Sequence, residues 1–141
     1  MSGLTRRGPL PTVSELMTSD PVVIPDGLSA TDAARLLDFY RVSGAPVIDE
    51  DGDVVGVVSQ SNLVHAFTSG SLLEALPGLL VRDLMSMPAI TVRGGVSADE
   101  AARLMEAHRV HRLVVVAPDG RTPIGVLSRT DLVHVIAGWD D

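Results

Sequence analysis

The chain has 141 residues, no cysteine, 45% hydrophobic but only 3% aromatic residues, and a formal charge of −7. Disulfides and thiolate metal sites are thereby excluded, and the core has to be built from Val, Leu, Ile, Ala and Met. The excess of Asp+Glu (18) over Lys+Arg (11) repels nucleic-acid phosphates and anionic lipid, and no apolar run approaches the ~20 residues of a membrane helix, so a cytoplasmic chain with neither nucleic-acid nor membrane partner is expected.

Residues 1–11, with Gly3, Gly8, Pro9 and Pro11, read as a flexible tail; Arg6 and Arg7 are followed by no apolar stretch, so no signal peptide is expected here. Val22 to Ile24 forms a short strand closed by Pro25. Ser29 then opens a helix in which Ala33, Leu36 and Leu37 recur at helical spacing, and Asp32 stands at the third position of a capping-box pattern. Two strands follow, Ala45 to Ile48 and Val54 to Val58, joined through Asp49 to Asp53, where Gly52 supplies the positive φ of a reversing turn. A second helix opens near Ser61 with Leu63 and Val64 on its apolar side. Residues 69–80, rich in leucine but broken by Gly70 and Pro77-Gly78, read as a linking helix and bend.

From here the chain repeats itself at a shift of 67 to 69 residues. Ser29, Ala30, Ala33, Ala34, Arg35, Leu36, Arg41 and Val42 fall on Ser97, Ala98, Ala101, Ala102, Arg103, Leu104, Arg109 and Val110. Gly56, Val57, Ser59, Leu63, Val64 and His65 fall on Gly125, Val126, Ser128, Leu132, Val133 and His134. The second copy therefore carries its own helix from Ser97, with Glu100 as the capping-box acid. Its strands are Leu113 to Ala117 and Ile124 to Leu127, around an Asp119-Gly120 turn, and a last helix starts near Thr130. Each copy is a β-α-β-β-α unit in an α/β (α+β) fold, copy 1 over residues 12–68 and copy 2 over 81–138. Neither half has much core alone, so the copies are expected to pack with pseudo-twofold symmetry.

The ordered signals, each weak by itself, are L-M-T at Leu16 to Thr18 and L-M-S at Leu84 to Ser86, R-V-S-G-A-P-V-I-D at Arg41 to Asp49, R-V-H-R-L-V-V-V at Arg109 to Val116, and G-h-h-S-x-x-D at Gly125 to Asp131. Together they resemble the tandem cystathionine β-synthase (CBS) domain pair, or Bateman module, over nearly the whole chain. The resemblance implies regulatory binding of an adenosine-containing ligand such as AMP, ADP, ATP or S-adenosylmethionine in clefts between repeats, and a homodimer of two modules.

Carried onto this chain, the resemblance implies a first site joining Gly125, Ser128, Thr130 and Asp131 to Thr18, Val22, Val23, Val42, Ser43, Gly44 and Pro46. Gly125 would leave room for a flat base, and Ser128 and Thr130 offer hydroxyls where free helix N–H groups favour anions. Asp131, with two acceptor oxygens, suits the two ribose hydroxyls. Ser128 and Asp131 equally suit a plain helix cap, and the two roles are compatible. Backbone groups at Ser43 to Pro46 would pair with the adenine rim. A second, weaker site would join Gly56, Ser59, Ser61 and Asn62 to Ser86, Ala89, Ile90, Val110, His111 and Arg112; here the anchoring acid is an amide, which loses charge and one acceptor.

An enzyme is not expected, since no Ser-His-Asp order and no Gly-rich loop with a following lysine occur. Among the four histidines, His108 and His111 straddle a helix end and lack an acidic partner at ligand spacing, so no metal site is expected. Two other functions stay open: a ligand-free interaction module, and divalent-ion sensing by the turn Asp49 to Asp53, which reads more simply as a solvated hairpin. Any output acts in trans on an unknown protein partner.

Overall fold

The computed structural model describes residues 9–69 and 78–138, so most of the tail and of the linking segment lie outside the described residues. Copy 1 contributes α1 (Val13–Leu16), β1 (Thr18–Ser19), β2 (Ile24–Pro25), α2 (Ala30–Tyr40), β3 (Gly44–Ile48), β4 (Val54–Ser59) and α3 (Gln60–Thr68). Copy 2 contributes α4 (Val81–Leu84), β5 (Thr91–Arg93), α5 (Ala98–His108), β6 (Arg112–Val116), β7 (Pro123–Ser128) and α6 (Arg129–Ala137). Among the described residues no helix is long and apolar enough to cross a membrane.

The chain folds into two compact units, and each takes its leading segment from the other copy. The copy-1 unit holds Pro21–Ala89 and Arg121–Pro123; the copy-2 unit holds the chain up to Asp20, Ile90–Gly120 and the residues from Ile124 onward. In the copy-1 unit β3 is central, parallel to β2 and antiparallel to β4. In the copy-2 unit the order is β1-β7-β6-β5, with β1 antiparallel to β7 and β5 parallel to β6.

The cores explain the exchange. Ile24, Ala33, Leu37, Ala45, Val47 and Val58 are joined by Val81 of α4, whereas Val92, Ala101, Met105, Leu113, Val115 and Leu127 are joined by Val13 of α1. Val13 and Val81 are both fully buried, each worth about 1.5–3 kcal/mol of burial. The short helices carrying them are too brief for sequence periodicity to reveal. Each is held by an acid reaching back to the residue before the helix: Glu15 Oε1 accepts from Thr12 N at 2.9 Å and Oγ1 at 3.0 Å, and Asp83 Oδ2 accepts from Leu80 N at 2.9 Å.

The main elements fall where periodicity puts them, and the turn glycines Gly52 and Gly120 have φ of 83° and 75°. Three details differ. The first strand is displaced to Ile24–Pro25, which lie opposite Val47 and Ile48, while Val22 packs on the core outside the ladder. The Ser29 cap is half a box: its Oγ accepts from Asp32 N at 3.1 Å, but the Asp32 carboxylate pairs with Arg35 at 2.8 Å. At Ser97 the expected box with Glu100 does not form, because the hydroxyl donates at 2.7 Å to Asp99, a charged acceptor only two residues away.

Candidate functional site

In the copy-2 unit, β7 runs into α6 through Ser128, whose extended backbone (φ −112°, ψ 164°) makes it the N-cap. Ser128 Oγ accepts from Asp131 N at 3.3 Å, and Asp131 Oδ2 accepts from Ser128 N at 2.8 Å and Oγ at 3.1 Å. The cap role of this pair is therefore real, and it uses one carboxylate oxygen. Among the described residues Asp131 Oδ1 takes no hydrogen bond. The Arg129 N–H goes to the His111 carbonyl at 3.0 Å, while the Thr130 N–H, one residue on, has no partner among the described residues. A helix start with an open N–H beside an unspent carboxylate oxygen presents a donor for an anion next to an acceptor for a hydroxyl.

Thr18 is brought to this place by the exchanged leader: it pairs with Val126 and Ser19 pairs with Gly125. The same pairing gives Gly125 a packing role. A β-carbon there would collide with the Met17 sulfur and sit 3.0 Å from the Thr18 carbonyl, so Gly125 serves the close approach of β1. Gly56 repeats this in the copy-1 unit, where a β-carbon would lie 2.7 Å from the Ser86 carbonyl and 2.9 Å from the Met85 sulfur. The matched methionines in L-M-T and L-M-S are the sequence signal for this packing.

The equivalent helix start in the copy-1 unit is built from Ser59 and Asn62. Ser59 Oγ accepts from Asn62 N at 3.2 Å, and Asn62 Oδ1 accepts from Ser59 N at 2.8 Å and from Ser59 Oγ at 2.9 Å. A backbone N–H can only donate, so the atom facing it must be the amide oxygen, which fixes the side-chain amide orientation. Its nitrogen then donates to Ser86 Oγ at 3.2 Å. The Ser86 backbone meanwhile exchanges two 2.9 Å bonds with Val57. Ser61 is exposed at the second position of α3.

The remaining sequence-predicted residues divide between the units. Val22, Val23, Val42, Ser43, Gly44, Pro46 and Ala89 belong to the copy-1 unit, and Ile90, Val110, His111 and Arg112 to the copy-2 unit. The Ser43 to Pro46 segment is less open than a loose bend. The Ser43 carbonyl accepts from Gln60 N at 2.8 Å, Gly44 pairs with Ser59, and Pro46 is buried, leaving Val42, Ser43 and Gly44 with surface to offer. Ile90 and Val110 pack on the copy-2 core, and His111 is exposed. Arg112, where copy 1 has Gly44, is half-buried, and burial pulls its guanidinium below its ordinary pKa. Arg41 and Arg109 end their helices in the left-handed conformation, φ 56° and 54°, with exposed side chains.

The carboxylates of Asp49, Asp51 and Asp53 lie within 4.8 Å of one another, but Asp49 Oδ1 accepts from Asp51 N at 2.9 Å and Asp53 N at 3.0 Å. These are the bonds of a solvated turn.

The family model described as the CBS domain matches residues 13–69 and again 81–138. The chain belongs to the CBS domain family. This CBS pair is 26% identical to the "Uncharacterized protein MJ1426" of Methanocaldococcus jannaschii, with 96% of this chain and 97% of that protein aligned. It is 31% identical over 102 residues to the inosine-5'-monophosphate dehydrogenase of Helicobacter pylori, covering 72% of this chain but 20% of the enzyme, so the CBS pair spans about a fifth of that relative's length. The crystal structure of CBSX2 of Arabidopsis thaliana in complex with AMP matches with a TM-score of 0.76 and 34% identity, over 90% of this chain and 96% of that one.

Proposed function

We propose that this CBS pair binds an adenosine-containing nucleotide as a regulatory ligand and carries out no chemistry on it. The observation that carries the reading is the unspent Asp131 Oδ1 beside the open Thr130 N–H, in a chain that resembles the AMP complex of CBSX2. Asp131 would accept from the ribose hydroxyls, with Ser128, Thr130 and Thr18 as neighbouring hydroxyls. Val22, Val23, Val42, Ser43 and Gly44 are assigned to the base by resemblance. AMP, ADP, ATP and S-adenosylmethionine are the candidates. The ligand acts by population shift, stabilising whichever arrangement of the module it binds best, and a cytoplasmic protein partner reads that arrangement in trans.

A homodimer of CBS pairs fits the same reading. Phe39, Tyr40 and Phe67 are 77%, 53% and 54% exposed in the copy-1 unit, and Val133 and Ile136 stand out on α6 in the copy-2 unit. Exposed apolar faces of this kind also support the second reading, a ligand-free interaction module.

Calorimetric titration separates the two. At least one candidate should bind, and Asp131→Ala should weaken it tenfold to a hundredfold, the loss of charge-assisted bonds worth about 1.5–3 kcal/mol. No heat from any of the four on folded protein, with a dimer indifferent to nucleotides, would favour the interaction module.

A further inference from the structure

The outer strands of the two sheets differ at one matched place. In the copy-1 unit β2 carries Pro25 opposite Ile48, and in the copy-2 unit β5 carries Arg93 opposite Val116. Proline at a sheet edge withholds the N–H that another strand would need. β5 has no such block. The Ile90 carbonyl accepts from Val114 N at 3.0 Å, so the parallel register turns the backbone groups of Val92 toward β6 and leaves the N–H and C=O of Thr91 and the N–H of Arg93 facing away from it. Among the described residues no backbone group meets them.

Beside this edge, between β5 and α5, lies a groove of about 620 Å³. Its apolar lining includes Val96, Leu104, Ala107 and Val116, where copy 1 has Leu28, Leu36, Phe39 and Ile48, so three of the four side chains are smaller here. Arg93 and Arg103 also line it. Arg103 is paired with Asp99 at 3.2 Å, whereas among the described residues Arg93 makes no ion pair or side-chain hydrogen bond. Glu100 lines the groove as well, so a matching acid belongs beside Arg93.

We propose that β5 is a docking edge for an extended segment of a partner protein. The segment adds a strand through Thr91 and Arg93, places an apolar side chain in the groove and sets an acidic one on Arg93. A small anion would leave the edge groups unspent, and a second copy of β5 would bring two more arginines to the same seam. All of these residues belong to the copy-2 unit and none is assigned to the nucleotide, so the proposal stands apart from that reading.

Two blocked peptides that cover both strand directions, Ac-Glu-Val-Leu-Val-Thr-NH2 and Ac-Thr-Val-Leu-Val-Glu-NH2, test it by titration onto the full chain with amide hydrogen exchange followed. At least one should bind and slow exchange at Thr91 and Arg93. Arg93→Pro transplants the copy-1 edge residue without costing a bond to β6, and should weaken binding about tenfold. Ala107→Phe, which places the copy-1 side chain at the groove, should weaken it too. Binding of neither peptide to folded protein, binding that leaves both amides unprotected, or binding indifferent to Arg93→Pro would overturn the proposal. So would decanoate binding as tightly as the peptides, which gives the groove to a small anion, or a dimer that Arg93→Pro dissociates, which gives the edge to a second copy.

Discussion

The Ser59–Asn62 and Ser128–Asp131 helix starts have the same cap, the same spacing and nearly the same bond lengths, yet they leave different atoms over. Both use one side-chain oxygen to cap the helix. What remains is an N–H donor tied to Ser86 in the copy-1 unit and a bare carboxylate oxygen in the copy-2 unit. A duplicated fold can thus keep both helix caps while only one copy keeps a carboxylate oxygen beside the cap.

The largest effect that would sharpen this contrast falls on what the copies share. Gly125→Ala and Gly56→Ala should each destabilise by about 1–3 kcal/mol in urea unfolding, because each forces a β-carbon into a methionine side chain and a carbonyl of the leading segment. A cost at only one of the two would show that the leaders are not packed alike.

Smaller and more discriminating is the pair Ser86→Ala and Thr18→Ala. Ser86 accepts from Asn62, and among the described residues Thr18 has no side-chain hydrogen bond, so the first should cost about 1 kcal/mol and the second close to nothing. Equal costs would break the asymmetry.

Smallest is a pH effect. The Thr12 backbone and hydroxyl hold the Glu15 carboxyl below its unfolded value of 4.5. The stability this adds is whole above that value and is lost as pH falls through the lower folded value. Glu15→Gln should flatten the acid limb of a Tm-against-pH profile, leaving the neutral region nearly parallel. An unchanged acid limb would remove Glu15 from the account of α1.

Much of the fold was legible in the sequence because the same pattern occurs twice: Ser29 and Ser97 do precede helices, and the Asp-Gly turns do reverse the chain. The exchange of leaders was not, for a physical reason. Val13 matches Val81 and Met17 matches Met85, so either leader carries the groups either core needs, and only tertiary packing decides which is served. At the site, the missing charge at Asn62 could be read directly, but the direction of its amide could not. That depends on Ser59 N–H being a donor and on where the Ser86 hydroxyl lies. The packing role of Gly125 is not legible either, because the sulfur beside it comes from a residue more than a hundred positions earlier.

The most direct measurement is a crystal structure grown with AMP. The account predicts ribose hydroxyls within hydrogen-bond distance of Asp131 Oδ1. AMP bound with its ribose away from Asp131 would contradict it.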